Sequence, residues 1–165
     1  MRIYIMRHGE AEMLAPSDKE RHLTPLGKEQ AAEQGQWLKN TLNSTALDKV
    51  IVSPYVRALE TFEAINAEFN HTLSDLTESW DNVTPYGNPE LVRNYLDVLA
   101  EENNGDNLTI LIVSHLPLVG ELVKEFCGKN TVSFHPATIA VIDWDWMNDK
   151  GVLVEAKLPS AISVY

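Results

Sequence analysis

The chain has 165 residues, of which 44% are hydrophobic and 22% are charged, and its formal net charge at pH 7 is −11. This length fits one domain with a proper hydrophobic core, so we expect residues 1–165 to form a single domain. The negative charge argues against nucleic-acid binding, and no apolar run approaches the length of a membrane span.

The first predicted strand, residues 2–6, leads into a motif with two candidate catalytic side chains. The strand is a short apolar run, and the glycine that follows is typical of a tight turn. Arg7 offers a planar fork of donors suited to phosphate, and His8 offers a nucleophilic nitrogen near neutral pH. Gly9 has no side chain, so a ligand or another backbone can approach closely. The full motif reads Arg7-His8-Gly9-Glu10.

A polar loop and a first helix follow this motif. Thr24 before Pro25 predicts a helix start, because a hydroxyl caps the free N–H groups and proline fits the first helical position. Apolar and small residues at helical spacing extend this helix to about residue 43. Arg21 lies just before the helix, and its ordinary interpretation is a solvated loop charge.

The second predicted strand, residues 47–52, brings another arginine to the end of the sheet. Ser53-Pro54 after it is again a hydroxyl-proline helix start. Arg57 falls in the first turn of this second helix, where the helix N-terminus also favours an anion. The alternative interpretation of Arg57 is a surface arginine that pairs with a neighbouring glutamate.

The middle of the chain is predicted to contain a short edge strand, an irregular segment and a third helix. Residues 72–76 are the predicted edge strand, and the irregular segment that follows contains Glu78 and Asp81. Asn88 before Pro89 predicts the start of the third helix. The residues expected on its inward face are Leu91, Tyr95, Val98 and Leu99.

The most hydrophobic predicted strand, residues 108–113, ends in Ser114 and His115. Its apolar run is continuous, as expected for a parallel strand that is covered on both faces. His115 therefore has the same position relative to its strand as His8. Pro117 opens a fourth predicted helix.

The remaining chain completes an alternation of strands and helices. Residues 138–144 and 152–156 are predicted to pair as a hairpin. We therefore expect a three-layer α/β/α sandwich around a mostly parallel sheet. Cys127 is the single cysteine and the N-terminus shows no signal peptide, which favours a cytoplasmic protein.

Three predicted strands thus end in groups suited to phosphoryl chemistry: Arg7 with His8, Arg57, and His115, with Arg21 in a nearby loop. Converging guanidinium groups can hold phosphoryl oxygens and offset their charge in the transition state. An imidazole in line with phosphorus can attack it to give a covalent phosphohistidine, which water then hydrolyses. The second imidazole, if protonated, is a further positive donor. This scheme needs no metal and no other cofactor.

The strand-end motifs resemble those of the histidine phosphatase superfamily, the phosphoglycerate-mutase-like fold, and within it the compact phosphohistidine phosphatases. The matching stretches, besides the first motif, are LTPLG at 23–27, SPYVRALET at 53–61, TPYG at 84–87 and VSHLPLVG at 113–120. The resemblance covers residues 1 to about 145 and implies this fold without the lid insertions of the mutases. It implies that His8 is the phosphoryl acceptor in a pocket formed by Arg7, Arg21, Arg57 and His115. Gly9 and Ser114 are further candidate substrate-binding residues.

The resemblance is incomplete at the general acid that protonates the leaving group in many superfamily members. The phosphohistidine phosphatase pattern has a glutamate two residues before Thr84, and this chain has Asn82 there. Glu78 and Asp81 are the candidate acids nearby. A missing acid favours phosphohistidine over esters, because a protonated phosphohistidine releases neutral imidazole, whose conjugate acid has a pKa of about 6.5, whereas an alkoxide needs a proton.

The leading hypothesis is a monomeric, cytoplasmic phosphohistidine phosphatase that acts on a phosphorylated histidine-containing phosphotransfer protein or domain. The first alternative is a small-molecule phosphomonoesterase or mutase with the same pocket. A second is a phosphate-binding module without turnover. A metallohydrolase that uses His8, Glu10 and His115 is disfavoured, because the histidines lack close ligand spacing and the arginines would repel a cation.

Overall fold

A six-stranded sheet forms the centre of the computed structural model, which describes residues 1–43 and 45–161. The strands are β1 (Arg2–Arg7), β2 (Lys49–Val52), β3 (Thr77–Ser79), β4 (Thr109–Ser114), β5 (Ile139–Asp145) and β6 (Lys150–Lys157). Their order is β3-β2-β4-β1-β5-β6. The strands from β3 to β1 run parallel, and β5 and β6 are antiparallel at the other edge.

Helices cover both faces of this sheet. They are α1 (Pro25–Leu42), α2 (Val56–Glu68), α3 (Pro89–Glu102) and α4 (Leu118–Cys127). Leu38 of α1 and Ile65 of α2 belong to the apolar core on one face, and Leu96 of α3 and Leu122 of α4 to the core on the other. The arrangement confirms the predicted three-layer α/β/α sandwich and the predicted hairpin. No helix among the described residues is both long and apolar enough to cross a membrane.

The strand register brings the candidate catalytic residues together at the carboxyl ends of the parallel strands. Arg7 pairs with Ser114 in the parallel β1–β4 ladder, and the His8 amide donates to the Ser114 carbonyl at 3.0 Å. The Ser53 amide donates to the Val113 carbonyl at 3.1 Å, which aligns the end of β2 with the end of β4. All six residues of β4 are buried, so its carboxyl end is rigidly placed.

The predicted start of the first helix is confirmed, whereas that of the second is two residues too early. Thr24 caps α1, and its hydroxyl accepts a hydrogen bond from the Gly27 amide at 3.0 Å. The α2 helix begins at Val56 without a side-chain cap. The Ser53 hydroxyl accepts from the Tyr55 amide at 3.2 Å, just before the helix, and contacts His115 Nε2 at 2.7 Å. Ser53, which resembles a helix cap in the sequence, therefore contacts a candidate catalytic residue.

The predicted edge strand at residues 72–76 is wrong. Ser74–Leu76 forms a 3-10 turn, and the strand follows it as β3. The Asn66 side chain explains the shift, because its amide oxygen accepts from the Leu73 amide at 3.0 Å and its amide nitrogen donates to the Ser74 hydroxyl at 2.9 Å. Held in this way, the segment turns before it can pair with β2.

The predicted inward face of α3 is partly wrong. Leu91 and Val98 are exposed, and the buried residues are Val92, Leu96 and Ala100. These three recur at a spacing of four residues, which keeps them in one line along the helix. Tyr95 and Leu99 flank this line and are partly buried, as predicted.

Candidate active site

His8 is buried directly after β1, and its hydrogen bonds define its tautomer. Its Nδ1 lies 2.7 Å from the Gly9 carbonyl oxygen, which can only accept, so Nδ1 carries the proton. Arg57 Nε donates to His8 Nε2 at 3.2 Å, so Nε2 carries a lone pair. The structure therefore presents His8 as a neutral imidazole with its nucleophilic lone pair on Nε2, where that lone pair accepts the hydrogen bond from Arg57 Nε.

His115 lies beside His8 and is 1% exposed. The two ring centroids are 5.1 Å apart, with an angle of 59° between the planes. Its Nε2 is 2.7 Å from the Ser53 hydroxyl, and the Tyr55 ring packs against it edge-on at 5.1 Å. Its Nδ1 is buried and has no hydrogen-bond partner within the described part of the chain.

Both imidazoles are neutral near pH 7. Burial lowers the pKa of His8 well below its usual value, and electrostatic interactions with the His115 ring and with the charged Arg57 and Arg7 lower it further. Burial, followed by the charges of Arg57, Arg7 and Arg21, lowers the pKa of His115 to about 3. His115 is therefore a neutral hydrogen-bonding group and carries no positive charge.

The buried neutral state of His115 makes stability depend on pH. In the unfolded chain the imidazole takes up a proton below pH about 6.5, whereas in the fold it stays neutral to pH about 3. Its contribution is therefore complete above pH 6.5 and declines as the pH falls from about 6.5 to about 3. We expect this one residue to account for about 2 kcal/mol of the loss between pH 7 and pH 5.

Urea unfolding of wild type and His115→Gln at several pH values measures this contribution. The variant is expected to lose less stability than wild type on acidification. His71→Asn is the control, because His71 is exposed, and its pH dependence is expected to match wild type. Equal slopes for wild type and His115→Gln would contradict the prediction.

Arg7 and Arg57 reach the same pocket from different elements. Arg57 is 4% exposed, and its Nη1 donates to the Asp18 carbonyl oxygen at 2.6 Å. Arg7 Nη1 donates to the Phe134 carbonyl oxygen at 2.9 Å, and its Nε is buried without a partner within the described residues. Burial, then the charges of Arg57 and Arg21, lowers the pKa of Arg7. The guanidinium groups therefore lie close enough to repel one another.

Arg21 joins this cluster through Asp18, a residue that the sequence analysis missed. Arg21 Nη1 lies 3.1 Å from Asp18 Oδ1, and Arg57 Nη2 lies 3.2 Å from Asp18 Oδ2. Arg21 Nε also donates to the Glu12 carbonyl oxygen at 2.6 Å. The only sequence signal for Asp18 is its position three residues before Arg21, a spacing that is common in turns.

Gly9 and Ser114 shape the pocket through contacts with the protein itself. A Cβ atom at Gly9 would lie 2.5 Å from the Gly27 carbonyl oxygen, so the close approach is that of another backbone. The Ser114 hydroxyl is buried and donates to the Val83 carbonyl oxygen at 2.6 Å. Contact of either residue with substrate stays a prediction.

The two candidate acids are engaged elsewhere or open to solvent. Glu78 Oε2 lies 3.3 Å from Lys49 Nζ in an ion pair beside Tyr95. Asp81 is exposed at the start of a 3-10 turn. The carboxylate whose charge affects the pKa of His115 is that of Asp18.

Asn82 stands where the resemblance leads one to expect a glutamate, and its side chain fastens the loop to α3. Its amide nitrogen donates to the Asn88 carbonyl oxygen at 3.0 Å, and its amide oxygen accepts from the Asn88 amide at 2.9 Å. Both ends of the side chain are thus used for structure. Asn88 in turn caps α3.

The metallohydrolase alternative requires Glu10 to converge with the two histidines. The Glu10 carboxylate instead accepts a hydrogen bond from the Thr24 hydroxyl at 2.8 Å, at the start of α1. Across residues 1–43 and 45–161, no three side chains of His, Cys, Asp or Glu are grouped so that they could hold a metal ion.

Known proteins resemble this chain over most of its length. A model of the histidine phosphatase superfamily (branch 1) matches residues 3–84. The Haemophilus influenzae phosphohistidine phosphatase SixA homolog is 54% identical over 149 residues, which span 88% of this chain and 89% of that protein. Phosphohistidine phosphatase SixA of Escherichia coli K12 is 37% identical over 146 residues, spanning 88% of this chain and 86% of that protein. A structure of the protein histidine phosphatase SixA complexed with tungstate matches with a TM-score of 0.87 at 34% identity, covering 96% of this chain and 97% of that one. The chain belongs to the histidine phosphatase superfamily.

Proposed function

We propose that this chain is a phosphohistidine phosphatase that dephosphorylates a histidine-containing phosphotransfer protein through a phosphohistidine intermediate on His8. The observation that carries the proposal is the unprotonated Nε2 atom of His8, held 3.2 Å from Arg57 Nε. A nucleophilic nitrogen beside a fixed cation is suited to attack an anionic phosphorus centre, because the cation offsets the charge there. The relatives named phosphohistidine phosphatase support the same chemistry.

The proposed reaction has two phosphoryl transfers. In the first, His8 Nε2 forms a bond to phosphorus while the bond between phosphorus and the substrate imidazole breaks. In the second, water attacks phosphorus, His8 regains its lone pair and inorganic phosphate leaves. Arg7, Arg57 and His115 are the proposed donors to the phosphoryl oxygens. Arg7 Nε and His115 Nδ1 support this role, since both are buried without a partner in the described residues.

The leaving group distinguishes phosphohistidine from phosphate esters as the proposed substrate. Asn82 cannot donate an acidic proton, and Glu78 is held in its ion pair with Lys49. A phosphohistidine that is protonated on its second ring nitrogen leaves as neutral imidazole and needs no acid, whereas an alkoxide needs one. The chemistry of these residues therefore favours a P–N bond.

An apolar rim, formed by Met13, Leu14, Tyr86 and Leu116, supports a protein as the partner. These side chains are 43% to 89% exposed. Met13 and Leu14 lie in the loop that carries Asp18 and Arg21, Leu116 follows His115, and Tyr86 lies in the loop after Val83, to which Ser114 is bonded. Exposed apolar side chains around a polar pocket are suited to contact with a protein surface.

The proposed pocket draws its residues from a single chain. Arg7, His8, Arg57 and His115 all converge within it, so we propose that a monomer is active. The cytoplasm is the proposed location, because Cys127 is the single cysteine and the fold needs no oxidising compartment.

A panel of substrates tests the proposed function. Purified protein is incubated with phosphotransfer domains labelled on histidine, and in parallel with sugar phosphates and nucleotides, each with and without EDTA. We expect kcat/KM for a phosphohistidine domain to exceed that for any ester by about 10²-fold or more. The reason is that an ester needs a general acid, which this site does not supply, whereas a protonated phosphohistidine needs none. EDTA is expected to change nothing. Faster turnover of an ester would instead favour the small-molecule phosphomonoesterase.

Leu14→Asp tests the apolar rim separately from the chemistry. We expect this change to lower kcat/KM for a phosphohistidine domain about tenfold. The reason is that a charge placed in an apolar contact weakens binding by about that factor. Hydrolysis of free phosphohistidine is expected to stay unchanged. Met147→Asp is the matched control, because Met147 is similarly exposed but lies at the opposite end of the sheet, and both activities should match wild type. Equal effects on both substrates would exclude a docking role for Leu14.

A further inference from the structure

Asp18 joins the two arginines at the mouth of the pocket. Its Oδ1 lies 3.1 Å from Arg21 Nη1 and its Oδ2 lies 3.2 Å from Arg57 Nη2. Its backbone carbonyl accepts a third hydrogen bond from Arg57 Nη1 at 2.6 Å. Burial alone would raise the pKa of Asp18, but the hydrogen bonds and charges of Arg21 and Arg57 outweigh it and the pKa is lowered. Asp18 is therefore an anion among fixed cations.

The contact with Arg57 lies on the edge of the guanidinium that also faces the nucleophile. Nε and Nη2 form one edge of the planar group, and their N–H bonds point in parallel. Nε donates to His8 Nε2 and Nη2 donates to Asp18 Oδ2. A phosphoryl group on His8 would place an oxygen close to this edge. The Asp18 carboxylate thus uses a donor that the oxyanion also needs.

We propose that Asp18 is a positioning residue that acts as the resident counter-anion of the phosphate pocket. It orients Arg57 against His8 and Arg21 over the mouth before substrate arrives, and it competes with free phosphate for the same donors. The proposal rests on the proposed function, since it assumes that the pocket binds a phosphoryl group.

Two effects of opposite sign follow from this arrangement. Without the Asp18 charge, a bound oxyanion no longer faces a carboxylate, so its affinity rises. Without the Asp18 hydrogen bonds, Arg57 is less well oriented, so turnover falls. A residue that only maintained the fold would weaken oxyanion binding and turnover together.

Calorimetric titration with tungstate and with inorganic phosphate separates these possibilities. The proteins are wild type, Asp18→Ala, Asp18→Asn and the control Glu20→Ala. Glu20 lies in the same turn and contacts the Ser17 hydroxyl at 3.1 Å. We expect both Asp18 variants to bind tungstate at least about fivefold tighter, because two unit charges about 4 Å apart in water repel by about 1 kcal/mol and tungstate is a dianion. We expect kcat for phosphohistidine to fall in both, and Glu20→Ala to behave as wild type.

The result that overturns the proposal is tungstate affinity in both Asp18 variants that is equal to or weaker than that of wild type. Asp18→Asn keeps the size of the side chain, so a failure of Asp18→Ala to fold does not remove the test. If wild type binds tungstate and the variants bind it no tighter, this inference fails while the proposed function stands. If wild type binds neither anion, both are overturned.

Discussion

Turnover of phosphohistidine by the His8→Ala variant is expected to be at least about 10⁴-fold slower than that of wild type. The reason is the single lone pair on Nε2, which Arg57 Nε and the Gly9 carbonyl oxygen hold in place from opposite sides of the ring. Alanine leaves the arginines intact but removes the atom that is proposed to bond to phosphorus. Steady-state release of phosphate from a labelled phosphotransfer domain measures the loss.

Rapid-quench trapping supplies the complementary observation. Wild-type protein mixed with labelled substrate is expected to carry the label transiently on His8, in an acid-labile bond. His8→Asn is a second variant, because it fills more of the buried space than alanine and still lacks the nucleophile. Phosphate release at the wild-type rate by either folded variant would contradict covalent catalysis at His8.

The position of the candidate site could be predicted from the sequence because strand ends are local features. Each relevant strand is a short apolar run, and the residue after it is visible by inspection. Parallel register then brings the ends together without further information, as the pairing of Arg7 with Ser114 shows. His8 and His115 therefore become neighbours although they lie 107 positions apart in the chain.

The contacts that organise the site could not be predicted, because they depend on where loops and hydroxyl groups point. Ser53 looks like a helix cap in sequence, yet its hydroxyl bonds to His115, 62 residues away. Asp18 looks like an ordinary loop acid, yet it meets Arg57, 39 residues away. No local pattern distinguishes these residues from solvated ones. The path of the folded backbone determines which oxygen atom accepts the hydrogen bonds of a buried arginine such as Arg57.

The same limit applies to the general acid. Glu78 and Asp81 are candidates for the general acid because they lie close in sequence to position 82, where the resemblance leads one to expect a glutamate. The strand at Thr77–Ser79 instead gives Glu78 a partner in Lys49, and Asn82 closes the turn onto Asn88. Glu78 and Asn82 are therefore held in structural contacts and Asp81 is exposed to solvent, which agrees with a substrate whose leaving group needs no acid.

Arg57→Ala is the second change with a large expected effect, a loss of about 10³-fold in kcat/KM. Arg57 is 4% exposed and donates at once to His8 Nε2 and to Asp18. Its removal takes away the positive charge that is proposed to face the phosphoryl oxygens, and also the group that donates to His8 Nε2. Arg2→Ala is the matched control, since Arg2 pairs with Asp143 in solvent at the opposite end of the sheet. Its kcat/KM is expected to equal that of wild type.

Arg57→Lys separates charge from geometry. Lysine keeps the positive charge but lacks the parallel N–H pair that serves His8 and Asp18 together. We expect a loss of about 10²-fold, smaller than for alanine, if the charge and the planar fork each contribute to lowering the barrier. Wild-type activity in Arg57→Lys would reduce the role of Arg57 to a point charge. If Arg57→Lys loses as much kcat/KM as Arg57→Ala, the positive charge alone does not lower the barrier. The planar fork would then be needed to hold the His8 imidazole in the attacking orientation.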